Sequence, residues 1–367
     1  MQPLKILLIG NRRNEHSLFE KINASDFSSK IFTAGEKSFS KNFISYSTID
    51  ELAQNAIKEG IELVITDCEK ASSSGVIEIL SSYGLNCIGT NRKYSRLGTS
   101  KLFAKKFMDK YNINHPKSLT DEEIHYYPII MKHDFGDKKS KVIFSKDELF
   151  NEKQNFHEDY FLEEFLDGDE LSVTSYFNGE ELINFEPVRI HKQELETVGS
   201  FCPVYLSYEK YDKLQNYLTR FEHALLEDDA NFKGFITSNL TWTNDEWYIL
   251  SFSTEIGNST LLNHFDSDFL ATILYSTKQR YKEKTTATLL VKNKNVEKNK
   301  TKEIYIPKNE NIKIFHQGLK KENNYLYPTN ENVLSITTTS DFPFKELENF
   351  AKQIEMTDIE YQTNLQN

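Results

Sequence analysis

The stretch Phe161–Ser172, FLEEFLDGDELS, decides how the middle of the chain folds. Pairs of apolar residues surround Glu163 and Glu164, and the dipeptide Asp167-Gly168 follows. Two interpretations fit this pattern. In the first, the dipeptide is the turn of an ordinary β-hairpin, because Asp-Gly favours the backbone conformation of a two-residue hairpin loop. In the second, the stretch is a hinge between two sheets, where backbone and carboxylate groups face a ligand.

Composition and charge limit the class of protein. The chain has 367 residues, 38% of them hydrophobic, which is enough for two or three domains with cores. A net charge of −11 argues against nucleic acid or an anionic membrane surface as the main partner. Three cysteines lack the spacing of a disulfide framework or zinc site, and no apolar run is long enough to span a membrane. We therefore expect a cytoplasmic protein.

The first 89 residues alternate between apolar strands and amphipathic helices. Leu4–Ile9 predicts a buried first strand rather than a signal peptide, and Leu63–Thr66 predicts another buried strand. Such alternation is typical of a small doubly wound parallel sheet, in which ligands bind at the carboxyl ends of the strands. The pattern therefore places candidate ligand contacts at Asn11–Glu15 and Asp67–Ser74.

A strongly amphipathic helix is predicted over Ser100–Tyr111, and Pro116 follows its end. The two faces expected from the helical period are a core face with Leu102, Phe103 and Phe107 and an outward face with Lys101, Lys105 and Lys106. Farther along, the pattern predicts a strand at Phe185–Arg189 and one helix over Leu261–Tyr275. It also predicts a hairpin of Gly234–Thr243 with Glu246–Phe252.

Six short segments carry a resemblance to a known family. They are IGNRRNEHSL (Ile9–Leu18), the segment Leu63–Leu80, CIGTNRKYSRLGTSKLFAKKFMDKYNI (Cys87–Ile113), PIIMK (Pro128–Lys132), EEFLDGDELS (Glu163–Ser172) and FHQGL (Phe315–Leu319). In this order and at these separations they resemble the phosphoribosylamine–glycine ligases, or glycinamide ribonucleotide synthetases, of the ATP-grasp superfamily. The similarity extends nearly from end to end.

The resemblance implies a fold of mixed α/β and α+β class in three domains. These would be an N-terminal doubly wound, substrate-type domain at 1–98, an ATP-grasp domain at 99–280 with a smaller lobe at about 118–180, and a C-terminal barrel-like or sandwich domain at 281–367. It also implies ATP-dependent carboxylate–amine ligation in purine biosynthesis. In that reaction ATP phosphorylates the carboxylate of glycine, and the amine of phosphoribosylamine then displaces phosphate.

An adenine nucleotide, ATP or ADP, is the cofactor that the resemblance implies. The positions that match nucleotide contacts of the family are Lys101, Lys132, the hinge residues Glu163, Glu164, Phe165 and Leu166, and Glu170 beyond the turn. Taken singly, these residues are surface lysines and an acidic hairpin. Taken in register, they form a nucleotide contact, and both interpretations stay open.

Two segments depart from the family in the parts that handle phosphate and metal. After Lys132 the chain has HDFGDKKSKV (His133–Val142), in which every glycine position of the family's phosphate loop is another residue. Ser251 and Ser253 occupy the positions of the magnesium ligands, and Glu255 that of an arginine. Mg²⁺ prefers carboxylate oxygens. We therefore expect no magnesium site and assign no catalytic residue at these degenerate positions.

The lysines of the segment His133–Val142 leave open an alternative contact to phosphate. Lys138, Lys139 and Lys141 offer ammonium groups to a phosphate, although flexible point charges do not reproduce an ordered nest of N–H groups. By its pattern alone, the segment is a solvated turn.

The substrate side of the resemblance is mixed. The candidate substrate contacts are Gly10, Asn11, Arg12, Arg13, Glu15, Glu69, His191 and Lys192. Arg12 and Arg13 replace a double glycine, and they form either an anion contact at a helix N-terminus or a solvated basic turn. His191 and Lys192 are the remnant of a longer glycine-rich loop.

Three hypotheses follow. The first is a diverged ATP-grasp protein with lost or reduced ligase chemistry, which acts by binding an adenine nucleotide and a protein partner. The second is an active carboxylate–amine ligase, either the purine enzyme or a relative with other substrates. The third is an interaction protein that binds no nucleotide. A fold does not guarantee an activity, so the site has to distinguish among them.

Overall fold

A computed structural model of the chain describes residues 2–10, 13–35, 41–135, 140–155, 160–193, 195–256, 258–293, 304–316, 319–322, 325–328, 332–354 and 359–360. No helix within these ranges combines the length and apolar character needed to cross a membrane. Cys68, Cys87 and Cys202 form no disulfide bond with one another.

The N-terminal part is a parallel sheet with helices on both faces. Its strands are β1 (Leu4–Ile9), β2 (Ser28–Ala34), β3 (Leu63–Thr66) and β4 (Cys87–Ile88), and its helices are α1 (Arg13–Asn23), α2 (Ile49–Glu59), α3 (Glu69–Ser73), α4 (Val76–Ser82) and α5 (Arg92–Thr99). The strand order is β2-β1-β3-β4. Ile6 and Leu8 of β1 pack in one hydrophobic cluster and Leu7 and Ile9 in another, so both faces are covered. This confirms the predicted doubly wound sheet.

A small antiparallel sheet follows. The elements of this part are α6 (Lys101–Lys110), β5 (Ser118–Leu119), a 3₁₀ turn (Asp121–Glu123), β6 (Ile129–His133), β7 (Lys141–Ile143), α7 (Lys146–Asn155) and β8 (Tyr160–Glu164). The strand order is β5-β8-β6-β7. Its core is formed by Ile129, Met131, Ile143, Leu149 and Leu162.

The rest of the chain is organised on a ten-stranded sheet. Its elements in chain order are β9 (Asp169–Phe177), β10 (Leu182–Asn184), β11 (Val188–Gln193), β12 (Glu196–Cys202), α8 (Tyr208–Glu227), β13 (Gly234–Thr243), β14 (Glu246–Ser253), α9 (Ser259–His264), α10 (Phe269–Tyr275), β15 (Thr285–Asn293), β16 (Lys313–His316), β17 (Leu319–Glu322), β18 (Tyr325–Pro328), β19 (Asn332–Ser340), α11 (Pro343–Ala351) and β20 (Ile359–Glu360). The main order is β14-β13-β9-β11-β12-β15-β19-β16, with β10 on β9 and β20 on β15, while β17 and β18 pair separately. The C-terminal strands thus continue the central sheet.

The stretch 161–172 connects the two sheets. Its first strand, β8, belongs to the small sheet, and its second, β9, belongs to the large one. The hairpin interpretation is therefore wrong, and the hinge between two sheets is confirmed. Gly168 lies so close to β13 that an added Cβ would be 2.0 Å from the carbonyl oxygen of Trp242. The glycine serves this close approach of backbones instead of a hairpin turn.

Two other predicted elements differ in their bounds. The strand expected at Phe185–Arg189 begins at Val188 and continues to Gln193, because Pro187 has no N–H to give to a ladder. The helix expected over Leu261–Tyr275 is two helices, α9 and α10. Asp268 separates them, since its side chain caps α10 by accepting a hydrogen bond from the N–H of Ala271.

The hairpin of β13 with β14 is confirmed, with one irregularity. Asn244 and Asp245 have φ values of 50° and 57°, as a two-residue turn of this kind requires. A register shift lies between Asn239 and Leu240, and it sets Asn239 opposite Ser251. This shift decides which side chains share a face with Ser251.

Asp228, at the C-terminal end of α8, joins that helix to α5 and α6. One carboxylate oxygen accepts from Lys110 Nζ at 2.6 Å and from the Tyr111 hydroxyl at 2.8 Å. The other accepts from the Tyr94 hydroxyl at 2.9 Å and pairs with Lys93 Nζ at 2.8 Å. These hydrogen bonds hold the pKa of Asp228 well below its usual range despite its partial burial. The contact fixes the position of α6, which carries candidate site residues.

The substitution Asp228→Asn tests this contact. It removes the charge that four donors share, so we expect the unfolding free energy at pH 7 to fall by about 1–3 kcal/mol. The measurement is the urea-unfolding midpoint. The exposed neighbour Glu227 provides the control Glu227→Gln, which should change stability by less than about 0.5 kcal/mol. Equal effects of the two variants would contradict the role given to Asp228.

Candidate functional site

A cavity of about 220 Å³ lies where α6, β6, β8 and β14 meet, and we call it the hinge cavity. Its lining consists of Leu97, Gly98, Lys101, Ala104, Lys105, Met108, Pro116, Lys132, Phe161, Glu163, Ile249, Leu250, Ser251 and Phe252. Most of these side chains are apolar, and the charged ones are three lysines and one glutamate. An apolar cleft with a few convergent polar groups is the usual form of a small-molecule site.

Glu163 is the centre of the polar part of the hinge cavity. Its side chain is almost fully buried, and it pairs with Lys105 Nζ at 3.0 Å and with Lys132 Nζ. Lys132 Nζ also donates to the carbonyl of Leu250 on β14 at 3.4 Å. Both ammonium groups are buried with the carboxylate, so the three side chains compensate one another's charge in a poorly solvated place.

The orientation predicted for α6 was wrong at two positions. Lys105, expected to face outward, is only 7% exposed, whereas Leu102, expected in the core, is 38% exposed. The helical period gave the wrong face because Lys105 finds a buried partner, Glu163, far away in the sequence. Lys101 lines the cavity and donates from Nζ to the carbonyl of His133 at 2.8 Å.

The remaining hinge residues lie at the connection between the two sheets. Glu164 accepts a hydrogen bond from the N–H of Lys117 at 2.8 Å, so its side chain holds β8 to the residue that precedes β5. Phe165 and Leu166 are partly buried. Sequence reasoning predicted these residues as candidate nucleotide contacts but missed Lys105. Together with Lys101 and Lys106, Lys105 follows the spacing of a solvent-exposed helix face.

A second cavity, of about 370 Å³, lies on the face of the large sheet, and we call it the hydroxyl cavity. It is lined by Glu170, Ser172, Ile190, Lys192, Thr197, Ser200, Thr237, Asn239, Ser251, Ser253, Glu255, Asn258, Ser259, Thr288 and Leu290. Lys192 Nζ pairs with Glu170 at 2.6 Å, and the amide of Asn239 donates to the Ser251 hydroxyl at 3.1 Å. Ser251 lines both cavities, so the two adjoin.

The hydroxyl cavity is a poor match for a magnesium ion. Ser251 and Ser253 offer neutral hydroxyls, Glu170 is paired with Lys192, and Glu255 accepts a hydrogen bond from the N–H of Glu69. Among the residues that the structure describes, no group of three or more His, Cys, Asp or Glu side chains is arranged to hold a metal. Mg²⁺ is usually bound through carboxylates and phosphate oxygens, so the donor set does not fit the ion.

Four carboxylates meet at the carboxyl edge of the N-terminal sheet, and we call them the carboxylate cluster: Glu15, Asp67, Glu69 and Glu255. Glu15 is fully buried in the first turn of α1. Gly10 has φ +140°, and an added Cβ would be 2.5 Å from Glu15 Cγ, so glycine is needed beside this carboxylate.

The carboxylate cluster joins the N-terminal sheet to the end of β14. Glu69 Oε1 accepts from the N–H of Thr254 at 2.8 Å, and the N–H of Glu69 donates to Glu255 Oε1 at 3.0 Å. Asp67 Oδ1 accepts from the N–H of Ile256 at 2.6 Å. Glu69 and Glu255, both singled out from sequence, therefore hold two parts of the fold together.

Asp67 is fully buried in this contact. Burial raises its pKa well above the ordinary range, and the nearby carboxylates of Glu255, Glu15 and Glu69 add to the shift. The hydrogen bond from Ile256 opposes them. Its second oxygen has no hydrogen-bond partner among the described residues. Folding therefore favours the protonated form of Asp67.

The other predicted substrate contacts are not brought together. Lys192 lines the hydroxyl cavity, whereas His191 stacks on Phe201 with ring centroids 5.4 Å apart and is not among the lining residues. Burial, and then the charge of Arg189, lower the pKa of His191. The predictions for Asn11, Arg12 and the Arg13 side chain, and those for Lys138 and Lys139, lie outside the described residues. Lys141 pairs with Glu152 at 2.5 Å.

Comparison with known proteins agrees with this fold. Residues 4–98 match the family model described as phosphoribosylglycinamide synthetase, N domain. The chain is 27% identical to a phosphoribosylamine–glycine ligase of Fusobacterium nucleatum, over 96% of this chain and 95% of that one. The crystal structure of phosphoribosylamine–glycine ligase from Thermotoga maritima superposes with a TM-score of 0.79 at 19% identity, covering 98% and 100% of the chains.

A more distant structural neighbour carries a nucleotide. The biotin carboxylase domain of 2-oxoglutarate carboxylase from Hydrogenobacter thermophilus, solved with MgADP, ADP and bicarbonate, has a TM-score of 0.71 at 12% identity. It covers 98% of this chain and 92% of that one. The presence of MgADP there gives no support to the expectation that this chain holds no magnesium.

The fold, with its two sheets joined at a hinge, is that of an ATP-grasp protein. Over nearly its full length the chain is similar to a phosphoribosylamine–glycine ligase, and residues 4–98 match the N-domain model of that family, so the resemblance carried by its motifs is confirmed.

The raised pKa of Asp67 makes a testable prediction. A pKa raised by folding contributes stability that is present below the unfolded value, about 3.9, and is lost as pH rises through the folded value. Asp67→Asn has no such proton to lose. As pH rises within this window, the unfolding free energy of Asp67→Asn should therefore increase relative to that of wild type by up to about 1.4 kcal/mol per pH unit.

Urea unfolding between pH 4 and 8 measures the difference. The exposed Asp26 supplies the control Asp26→Asn, which should differ from wild type by the same amount at every pH. A difference between Asp67→Asn and wild type that stays constant or shrinks with rising pH would show that Asp67 is ionised in the folded protein.

Proposed function

We propose that this chain is an adenine-nucleotide-binding ATP-grasp protein whose ligase chemistry is lost or strongly reduced. The observation that carries the proposal is the hinge cavity. There an apolar slot and three lysines, Lys101, Lys105 and Lys132, meet beside the hinge at Glu163. Apolar walls suit a purine ring, and ammonium groups suit a phosphate. Glu164, Phe165 and Leu166 are proposed to face the base, with Glu170 farther along.

The proposed loss of turnover rests on the hydroxyl cavity. Phosphoryl transfer from ATP is catalysed almost entirely by positioning and by stabilising charge, with metal ions bridging the phosphates. Ser251 and Ser253 offer no charge, and Glu255 is hydrogen-bonded to the N–H of Glu69. We propose that no magnesium is held at these positions and that the protein acts through binding, in concert with a protein partner.

A second function, an active ATP-dependent carboxylate–amine ligase, is favoured by one observation. The named ligase of Fusobacterium nucleatum matches 96% of this chain. On this alternative Lys138, Lys139 and Lys141 supply the contacts to phosphate. Release of phosphate from ATP, on addition of glycine and phosphoribosylamine, distinguishes the two proposals.

The domain division is also a proposal: 1–98, 99–280 with a smaller lobe at about 118–180, and 281–367. The separate four-stranded sheets support the first two parts. Three cysteines without a disulfide bond suit the reducing conditions of the cytoplasm, which we propose as the location.

Nucleotide binding predicts a rise in melting temperature when ATP or ADP is added to the purified chain, because a ligand that binds only the folded state stabilises it. The rise should not require Mg²⁺, and phosphate release with glycine and phosphoribosylamine should stay at background. Phosphate release above background would favour the ligase.

Lys101→Met locates the binding. The substitution removes a cavity ammonium group and should weaken nucleotide binding about tenfold or more. Lys106→Met, on the exposed face of the same helix, is the matched control and should bind as wild type does. Equal binding by both variants would place the nucleotide elsewhere, and no shift with any nucleotide would leave the chain without the proposed function.

A further inference from the structure

The distribution of charge over the two cavities bears on how many phosphates a bound nucleotide carries. This inference rests on the proposed adenine-nucleotide site. The hinge cavity and the hydroxyl cavity adjoin at Ser251, so a nucleotide bound in the first extends toward the second. Together their volumes lie within the range of roughly 300–1,000 Å³ that is common for small-molecule sites.

The hinge cavity has an excess of positive charge. Its lining carries the ammonium groups of Lys101, Lys105 and Lys132 against the single carboxylate of Glu163. The formal excess is two positive charges. A phosphomonoester carries about −1.5 to −2 at pH 7. One phosphate group therefore balances the charge of this cavity.

The hydroxyl cavity has the opposite balance. Its lining carries the carboxylates of Glu170 and Glu255 against the single ammonium group of Lys192, which lies 2.6 Å from Glu170. The other lining residues are neutral hydroxyls, amides and aliphatic groups. Second and third phosphates would extend toward a surface of net negative charge. Both carboxylates already have partners, because Glu170 is paired with Lys192 and Glu255 Oε1 accepts from the N–H of Glu69 at 3.0 Å. The lysine and the serines do not fit the divalent cation that usually neutralises a polyphosphate.

We propose that this site takes a nucleoside monophosphate of the adenine class in preference to the triphosphate, and that it does so without a divalent cation. The base lies in the apolar part of the hinge cavity, the phosphate meets its lysines, and ribose hydroxyls exchange hydrogen bonds with Ser251 and Asn239. Hydroxyls and amides both donate and accept, so they suit a sugar better than a chain of phosphates.

Isothermal titration of the full chain with AMP and with ATP, each in EDTA, tests the proposal. AMP should bind at least about tenfold more tightly than ATP, and adding Mg²⁺ should change the affinity for ATP less than about twofold. Tighter binding of ATP, with or without Mg²⁺, would overturn this inference and leave the nucleotide site intact. Failure of both nucleotides to bind would overturn the proposed function and this inference together.

The variant Glu170→Gln tests the electrostatic cause. It removes the partner of Lys192 and brings the formal charge of the hydroxyl cavity to zero, so the affinity for ATP relative to AMP should rise about three- to tenfold. Glu180→Gln makes the same charge change at an exposed residue away from both cavities, and it should leave the ratio unchanged. An unchanged ratio in Glu170→Gln would contradict the proposal.

Discussion

The buried contact of Glu163 with Lys105 and Lys132 is the constraint on which the centre of the molecule depends. The three side chains come from β8, α6 and β6, and all three are buried. Removing one partner from such a group typically costs about 3–5 kcal/mol, because the other charges then lack compensation. The contact therefore fixes how the helix and the small sheet meet. Since β8 continues directly into β9, it also fixes where the large sheet begins.

The carboxylate cluster likewise fixes the position of the N-terminal sheet against the end of β14. Its acceptors take backbone N–H groups of Thr254 and Ile256, which follow the strand that borders both cavities. Because the donors are backbone N–H groups, these hydrogen bonds form only when the N-terminal sheet packs against the segment that follows β14. Glu69 and Glu255 therefore have a structural role in this contact.

Much of the fold was predictable from local pattern, and much of the site was not. Apolar alternation gave β1 and β3, and the Asn244-Asp245 turn gave the hairpin of β13 with β14. The irregularity at Asn239 was beyond that pattern. A one-residue shift reverses the faces of a strand. The pairing of Asn239 with Ser251 therefore depends on a bulge that the sequence pattern does not predict. The burial of Lys105 could not be predicted from local pattern either, because its partner, Glu163, is distant in sequence.

Strand β14 separates the groups that hold the fold from the side chains that face the hydroxyl cavity. The carbonyl of Leu250 accepts from Lys132, and Phe252 packs in the core with α8, so the strand keeps its place through its backbone and one face. Ser251 and Ser253 lie on the other face, in the hydroxyl cavity, where their replacement alters charge without disturbing that packing. Packing and backbone bonds preserve the fold independently of the side chains that would handle a metal. The chemistry of this site therefore has to be argued from its charges, since the architecture would be the same with or without turnover.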